Sequence, residues 1–306
     1  MERWRRRALA YKAIAKVPHA EQLADLTRVF FGRLRAFDVG GRRRSVEEMA
    51  RILQVAGKSV EGQRLMEIGA GWHPVLPAAL HCGGAETIVM TDIVRHMRRK
   101  YVLESLNYLR DHAAEIASPL GIAVDTFQSR LAPLHPGGGR WEDIWESRGI
   151  AYKAPSDSTR TGMPAESIDM IYSNFCLSFI PVPVLEAIFD ESVRLLRRGG
   201  WIAHIITTYD DYASSDPAIT PLNFLRFDER EWDRIGNSPI HYQNRLRPSS
   251  YLRLAKERGL VVRYSEKVKG HFDATMLDRS VLDAAYREMS DDDLLCAQLL
   301  FVAEKP

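Results

Sequence analysis

The residues best suited to chemistry surround a glycine-rich turn that follows a short apolar run. Residues 65–68 lead into Gly69-Ala70-Gly71, and glycines at such a turn let backbone N–H groups approach a ligand closely. One acid, Glu67, lies in the run, and a second, Asp92, ends the next apolar run. A carboxylate at that second position can accept both hydroxyls of a ribose bound over the turn. The pattern therefore predicts a nucleoside-binding site.

Two common phosphate-binding patterns do not fit this turn. The dinucleotide fingerprint needs a third glycine where the chain has Pro74, and the lysine of a P-loop is missing. Glu67 would also repel a pyrophosphate, whereas it suits a cationic ligand. S-Adenosyl-L-methionine carries a sulfonium, an ammonium group and a ribose but no phosphate. We therefore expect S-adenosyl-L-methionine as the cofactor.

The stretch EIGAGWHP, which begins at Glu67, followed by Asp92, resembles the first two motifs of class I S-adenosylmethionine-dependent methyltransferases, most closely those of the type 11 group. Residues 154–174 resemble the third motif, and residues 197–201 resemble the turn before the fifth strand. The resemblance covers about residues 62–208, with a weaker match nearer the end of the chain. The sequence departs from the family at His73, which stands where the third glycine of GxGxG is usual and makes the turn bulkier.

The resemblance implies which residues contact the cofactor. An acid before the fourth strand, here Asp157, is expected to meet the adenine amino group, and residues 174–179 are expected to border the methyl donor. The expected cofactor contacts are Glu67, Gly69, Ala70, Gly71, Asp92, Ile93, Asp157, Ser158 and Asn174. Purely structural roles are the alternative: a tight turn for the glycines, a helix N-cap for Asp92, a turn for Asp157 and a local ion pair for Glu67.

Methyl transfer from a sulfonium needs the acceptor held in line with the methyl group, and it needs a base only when the acceptor must lose a proton. The base candidates lie near the expected carboxyl ends of strands: His73, Tyr209 and His241. The candidate substrate contacts are Phe175, Asp210, Tyr242, Asn244 and Arg245, with Arg247 as a further group for an anionic acceptor. A loop or surface role is the alternative for the residues of segment 208–247, and His204 is expected to be a core histidine.

Hydrophobic periodicity predicts helices near the N-terminus, followed by alternating strands and helices. After helices over 8–16 and 20–34, a break at Gly40-Gly41 precedes a helix that Ser45 and Glu48 open as a capping box. Strands are expected over 65–68, 87–91, 150–153, 168–173, 201–207, 260–268 and 299–303, and helices over 74–81, 101–117, 182–197, 249–259 and 279–289. Residues 118–148 are predicted to be irregular.

This alternation is typical of an α/β fold with a doubly wound sheet of seven mostly parallel strands. We expect an N-terminal helical cap over residues 1–60 and an S-adenosylmethionine-binding domain over 61–306. Insertions are expected at about 118–148 and 208–247.

The composition of the 306 residues is that of an ordinary globular protein, with 45% hydrophobic and 27% charged residues. Three scattered cysteines without a CxxC argue against a zinc site or a disulfide framework and favour a cytoplasmic protein without a metal. No run predicts a membrane span. Residues 1–60 carry 14 Lys and Arg against 6 Asp and Glu, but no aromatic residues are interleaved with the arginines, so a nucleic-acid partner is not expected.

The sequence therefore predicts a methyltransferase, monomeric or homodimeric, that transfers a methyl group to oxygen or nitrogen of a small-molecule acceptor. Three alternatives remain open. The same cofactor can be attacked at its aminocarboxypropyl carbon, which releases methylthioadenosine; the basic N-terminal region can serve an RNA-modifying enzyme; or the fold can bind the cofactor without turnover.

Overall fold

The computed structural model describes residues 2–17 and 39–306, so the predicted helix over 20–34 lies outside the described residues. Its centre is one seven-stranded sheet with the order β3-β2-β1-β4-β5-β7-β6. The strands are β1 (Arg64–Ile68), β2 (Thr87–Thr91), β3 (Ile150–Lys153), β4 (Ile168–Asn174), β5 (Leu196–Thr207), β6 (Val261–Val268) and β7 (Gln298–Glu304). Each lies within a few residues of its predicted position, except that β5 begins earlier.

The sheet is parallel from β3 to β5, and β7 runs antiparallel to both β5 and β6. The predicted doubly wound, mostly parallel sheet of seven strands is thereby confirmed. β4 is buried along nearly all of its length, as expected for a parallel strand that helices cover on both faces. The register places Glu67 of β1 beside Met90 of β2 and Tyr172 of β4.

Helices cover both faces of this sheet. The described helices are α1 (Arg3–Ile14), α2 (Val39–Val55), α3 (Val75–Cys82), α4 (Arg99–Asp111), α5 (Ala113–Ala117), α6 (Val124–Leu131), α7 (Trp141–Glu146), α8 (Val182–Leu195), α9 (Glu229–Ile235), α10 (Pro248–Glu257), α11 (Ala284–Arg287) and α12 (Asp291–Leu294).

The predicted break at Gly40-Gly41 is wrong, because α2 runs through both glycines. Ser45 is therefore not an N-cap: its hydroxyl donates to the Gly41 carbonyl one turn earlier, at 2.9 Å. The apolar residues Val46, Met49 and Ile52 of α2 are fully buried in the main core. Packing of this stripe outweighs the weak helix preference of two glycines.

Residues 118–148 are not irregular as predicted. They contain α6, α7 and a short 3-10 turn at Ala132–Leu134. Trp145 is fully buried, and its indole N–H donates to the Leu134 carbonyl at 2.9 Å. The Pro136–Gly139 loop signal is local, whereas Phe127 before the loop and Trp141 and Trp145 after it are buried together in the main core.

Three other helix predictions are also corrected. The helix expected over 101–117 is divided into α4 and α5 at His112. The helix expected over 182–197 ends at Leu195, and β5 already includes the glycine pair at 199–200. The helix expected over 279–289 is reduced to a 3-10 turn and α11, because Asp278 and Asp283 each accept a backbone N–H and start a new turn.

The buried residues form three clusters. Two of them lie on the two faces of the sheet. The third joins α1 to the segment after β5, and at its centre Trp4 packs against Tyr212, Phe227 and Trp232. The N-terminal helix is thus packed on segment 208–247. No described helix is long and apolar enough to cross a membrane.

Candidate functional site

A cleft of about 710 Å³ opens at the carboxyl ends of β1, β2 and β4. Its floor is the glycine turn, and its sides are the loops after β2 and β4 and the start of α2. Tyr11 of α1 and residues 239–242 border it on the side of segment 208–247. The large apolar side chains of Ile93, Phe179 and Val184 line this cleft while remaining 68%, 38% and 41% exposed. Exposed apolar groups in a concave site are typical of a surface that a ligand covers.

The glycine turn requires its glycines for two reasons. Gly69 has a φ of +76°, and a Cβ there would lie 2.7 Å from the Cβ and Sγ atoms of Cys176. Gly71 has a φ of +61° and nothing within 4 Å of its Cβ position. The backbone N–H groups of Gly69 and Ala70 both donate to the Thr91 carbonyl, at 2.9 and 3.0 Å. The turn is therefore attached to the end of β2, with the side of Gly71 open.

Asp92 fixes the same turn with its side chain. Its Oδ2 accepts the Gly71 N–H at 2.8 Å, and its Oδ1 accepts the Val94 N–H at 3.0 Å. Each carboxylate oxygen has a second lone pair, so Asp92 can still accept hydroxyl groups from the cleft that it lines. The structural and the ligand-binding roles considered for Asp92 are thus compatible.

Glu67 is buried at the base of the cleft, with only 4% exposure. Its Oε2 has no hydrogen-bond partner among the described residues. Burial raises the pKa of this carboxyl well above its ordinary value, Asp92 raises it further, and the Arg42 guanidinium opposes both. A buried hydrogen-bond acceptor without a partner costs free energy, so the Glu67 carboxyl is available to bind a hydrogen-bond donor or a cation in the cleft.

The remaining expected cofactor contacts lie around the cleft. Asp157 is exposed, and its Oδ1 accepts the backbone N–H and the hydroxyl of Thr159, which lowers the pKa of Asp157. The Ser158 hydroxyl lies 3.1 Å from that of Thr91. Asn174 donates to the Ser45 hydroxyl at 3.1 Å, and its Oδ1 has no partner among the described residues.

His73 is buried and contacts residues of α2 and α4. Its Nδ1 lies 3.2 Å from Nη2 of Arg42, and its Nε2 lies 3.1 Å from a Glu104 carboxylate oxygen. Because Arg42 can only donate, the network assigns the proton to Nε2 and leaves a neutral ring. Burial and Arg42 lower the pKa of His73, against the opposing effect of Glu104. The side chain that replaces the third glycine thus joins the turn to α2 and α4.

His241 and Tyr242 border the cleft from segment 208–247. The His241 ring stacks on Tyr11, with centroids 4.9 Å apart and planes 19° apart. Its Nε2 lies 3.8 Å from Oδ2 of Asp211. Burial raises the pKa of Tyr242. Of the three base candidates, His241 is the one placed on the side of the cleft opposite the glycine turn.

Tyr209 borders a second, smaller cavity of about 320 Å³ rather than the main cleft. Phe175 belongs to both cavities. Its φ of +57° lies in the left-handed region, which is uncommon for an aromatic residue. The Phe175 N–H donates to the Ile205 carbonyl of β5 at 2.8 Å and holds this bend at the end of β4.

Three of the expected substrate residues are not brought to either cavity. Asp210 is fully buried and accepts from the Tyr212 N–H and the Asn223 amide; burial raises its pKa to about 7. The Asn244 amide donates to the Leu177 and Ile180 carbonyls. Arg245 donates to the carbonyls of Phe224 and Phe227. Asp210 and Arg245 thus bond within segment 208–247, and Asn244 joins this segment to the loop after β4. None of the three lines either cavity, as the substrate role expected of them would require.

Arg247 is likewise a structural residue. It is fully buried, and its guanidinium donates to the carbonyls of Thr208, Asp293, Leu294 and Cys296. His204 is buried within the sheet and lies 2.8 Å from the Ser173 hydroxyl, which confirms the core role predicted for it.

The cleft residues that sequence reasoning did not single out include Tyr11, Arg42, Trp72 and Asp211. Trp72 stands within the glycine motif, beside His96 at a centroid distance of 4.2 Å, and its place in the motif was an available signal. Tyr11 and Arg42 reach the cleft only through the packing of α1 and α2, which no local pattern shows. In the described parts of the chain, no group of three or more His, Cys, Asp or Glu is placed to hold a metal ion.

The strand order, the antiparallel β7 and the cleft over the first glycine turn define the class I S-adenosylmethionine-dependent methyltransferase fold. No protein-family model matches this chain, and no curated protein matches it significantly.

Several solved structures have a similar fold at low sequence identity, including the following three. An S-adenosylmethionine dependent methyltransferase from Mesorhizobium loti is 15% identical, with 82% of this chain and 95% of that chain covered and a TM-score of 0.45. A geranyl diphosphate methyltransferase in complex with S-adenosylmethionine is 14% identical, with 85% of each chain covered and a TM-score of 0.44. The YcgJ protein from Bacillus subtilis is 12% identical, with 85% of this chain and 98% of that chain covered and a TM-score of 0.43.

Proposed function

We propose that this protein binds S-adenosyl-L-methionine in the main cleft and transfers its methyl group to oxygen or nitrogen of a small-molecule acceptor. The observation that carries the proposal is the Glu67 carboxylate, buried below the open side of the glycine turn with Oε2 lacking a partner in the described structure. A buried, unsatisfied carboxylate favours a cationic ligand over a phosphate.

The cleft residues fit the chemical groups of this cofactor. Glu67 complements the ammonium and sulfonium groups, and Arg42, which lines the same cleft, complements the carboxylate of the methionine moiety. Asp92 is available to the ribose hydroxyls at the end of β2. The exposed Ile93 side chain offers an apolar surface for adenine, and Asp157 an acceptor for its amino group.

When bound, S-adenosyl-L-methionine supplies an electrophilic methyl carbon on a positively charged sulfur. The residues of this chain then have three tasks. The glycine turn, Asp92 and Glu67 fix the donor; Phe175 and Phe179 exclude water beside it; and the acceptor is held in line with the methyl group. For a hydroxyl acceptor, His241 at the border of the cleft is the group that can accept the proton.

The packing of α1 favours a small acceptor over RNA. Arg5 lies over the Trp4 ring at 4.9 Å, and the Arg7 guanidinium bonds Ser215 and Tyr11. These basic side chains are engaged with neighbouring residues of the chain. An RNA-binding face would instead present them to phosphates and would show steep salt dependence of binding.

Calorimetric titration tests the cofactor. We expect S-adenosyl-L-methionine and S-adenosylhomocysteine to bind and NAD to fail, and Asp92→Ala to weaken binding by roughly 1–3 kcal/mol through lost hydrogen bonds to a charged group. Mass spectrometry of the nucleoside product, with cell extract as the source of acceptor, then tests the reaction. S-Adenosylhomocysteine supports methyl transfer, whereas methylthioadenosine would show cleavage at the aminocarboxypropyl carbon. Binding of NAD alone would overturn the proposal.

A further inference from the structure

The second cavity, of about 320 Å³, lies beside the main cleft at the same edge of the sheet. The two cavities share a wall made of Phe175, Phe179 and Asp211. On its far side the second cavity is bordered by Arg44 of α2, Tyr209 after β5 and Gln298 at the start of β7. It is thus separate from the expected cofactor contacts and adjacent to the part of the cleft where the resemblance places the methyl donor.

We propose that this second cavity is the acceptor site and that it takes a small organic anion with an apolar, ring-sized body, whose anionic group pairs with Arg44. This inference rests on the proposed function, because it specifies the acceptor of that reaction.

The size and walls of the cavity set the body of the ligand. A volume of about 320 Å³ is at the lower end of the range for small-molecule sites, which are usually lined by apolar and aromatic groups with few polar ones. Phe175, Phe179 and Tyr209 supply three aromatic rings to this cavity. Such walls favour a planar or ring-shaped body.

The charge balance of the cavity favours an anion. Arg44 is exposed, and no hydrogen bond or ion pair holds its guanidinium within the described part of the chain. Its charge acts on the Glu48 carboxyl one turn later on α2, where it lowers a pKa that burial raises. Among the described residues that line the cavity, Asp211 is the one carboxylate, and it lies 3.8 Å from both Arg7 and His241. A guanidinium can bind a carboxylate through two parallel hydrogen bonds, which fixes the orientation of the ligand as well as its charge.

The residues that line both cavities place the acceptor next to the donor. With its anionic group on Arg44, the acceptor extends toward Phe175 and Asp211 and presents its nucleophilic oxygen or nitrogen to the main cleft. As the new bond from that atom to the methyl carbon forms, the bond from carbon to sulfur breaks, and its electron pair remains on sulfur. The proton of a hydroxyl or amine acceptor leaves to His241 or to water.

The test is a binding series on protein saturated with S-adenosylhomocysteine. The probes are benzoate, salicylate, 4-hydroxybenzoate and indole-3-acetate, each beside its neutral amide, titrated at millimolar concentration and followed by ligand-observed NMR. The variants are Arg44→Gln and, as the matched control, Arg43→Gln. Arg43 is the preceding residue of α2, is exposed and pairs with Glu47 and Glu115, but it does not border either cavity.

We expect at least one carboxylate to bind the wild-type protein, its amide to bind at least about tenfold more weakly, and Arg44→Gln to lose a similar factor. Arg43→Gln should bind as the wild type does. Thermal melting and the affinity for S-adenosylhomocysteine should be unchanged in both variants, which shows that each is folded.

The proposal is overturned if none of the carboxylates binds, if the amides bind equally well, or if Arg44→Gln retains the wild-type affinity. These results are distinct from a failure of the proposed function, which would appear earlier as wild-type protein that does not bind S-adenosylhomocysteine at all.

Discussion

The two sides of the main cleft use their polar residues in opposite ways. On the side of the glycine turn, polar atoms are left available: Oε2 of Glu67 and Oδ1 of Asn174 lack partners among the described residues. On the side of segment 208–247, Asp210 and Arg245 are occupied by groups of that segment, and the Asn244 amide is occupied by carbonyls of the loop after β4. Both sides are rich in polar side chains, yet Glu67 and Asn174 keep hydrogen-bonding capacity for a ligand, whereas Asp210, Asn244 and Arg245 are used for structure.

The difference follows from how each side is held. Parallel strands satisfy the backbone of the glycine turn, since Gly69 and Ala70 donate to the end of β2. An irregular segment has no such neighbour and must satisfy its backbone with side chains. Most polar residues of a long connecting segment are therefore needed to stabilise the segment itself. The polar residues that can contact a substrate are those that face the cleft, such as His241.

The largest effect is expected at Arg247, on the side that is held by its own polar residues. Arg247→Leu removes a fully buried guanidinium that donates to the carbonyls of Thr208, Asp293 and Leu294 and shares the Cys296 carbonyl with the Thr208 hydroxyl. We expect the free energy of unfolding to fall by about 3–5 kcal/mol, measured by denaturant titration. Arg253→Leu, at an exposed position on the same helix, is the control and should change stability by less than about 0.5 kcal/mol. An unchanged Arg247→Leu protein would refute this structural role.

His241 tests whether the second side contributes to chemistry at all. For a hydroxyl acceptor, His241→Ala should lower the turnover number by about a hundredfold, which is the lower end of the contribution of a general base. The affinity for S-adenosyl-L-methionine, measured by calorimetry, should change by less than about twofold. His271→Ala, an exposed histidine, is the control. Equal turnover in the His241→Ala protein would leave this side of the cleft with a purely structural role.

Glu67→Gln tests the available carboxylate on the first side. The variant keeps the shape of the side chain and loses its charge, so the affinity for S-adenosyl-L-methionine should fall by roughly 1–3 kcal/mol, as measured by calorimetry. Without ligand, the variant should be more stable than the wild type at neutral pH, because an unpaired buried carboxylate is removed. Glu86→Gln, exposed at the edge of β2, should change neither quantity.

The gain in stability should depend on pH with a definite sign. Because burial raises the pKa of Glu67 in the folded protein, folding favours the protonated carboxyl. The stability that Glu67 contributes is therefore complete below its unfolded pKa and is lost as the pH rises through its folded pKa. The difference in the free energy of unfolding between Glu67→Gln and the wild type should therefore become smaller as the pH is lowered. A gain that is independent of pH would show that the Glu67 carboxyl is not strained by burial.

Much of the fold could be predicted because its signals are local. All seven strands lie near their predicted positions, although β5 begins five residues earlier than expected, and Gly69 marks the turn over which the cleft opens. The helix α2 could not be predicted through Gly40 and Gly41, since the decisive contribution is the burial of Val46 and Met49 against distant parts of the chain. Aromatic packing around Trp145 likewise orders a segment whose local signals indicate a loop.

The candidate site divides in the same way. The turn, Glu67 and Asp92 could be predicted because strand order alone places them at one edge of the sheet. Arg42 and Tyr11 could not, because they reach the cleft through the docking of α1 and α2. Asp210 and Asp211 are adjacent acids in different environments: Asp210 is fully buried, whereas Asp211 lines both cavities. Nothing in the sequence distinguishes them.

The smallest effect is expected at Asp157, on the first side of the cleft. Its Oδ1 accepts the two bonds from Thr159, so Oδ2 is the oxygen that can accept the adenine amino group. Because the residue is exposed, Asp157→Ala should weaken binding of S-adenosylhomocysteine by only about 0.5–1 kcal/mol. S-Inosylhomocysteine, which has no amino group on its base, should bind the variant and the wild type equally. An equal loss of affinity for both nucleosides would mean that Asp157 shapes the loop through Thr159 and does not contact adenine. The hydrogen-bond acceptors on this side of the cleft would then contact the ribose and the methionine moiety but not the base.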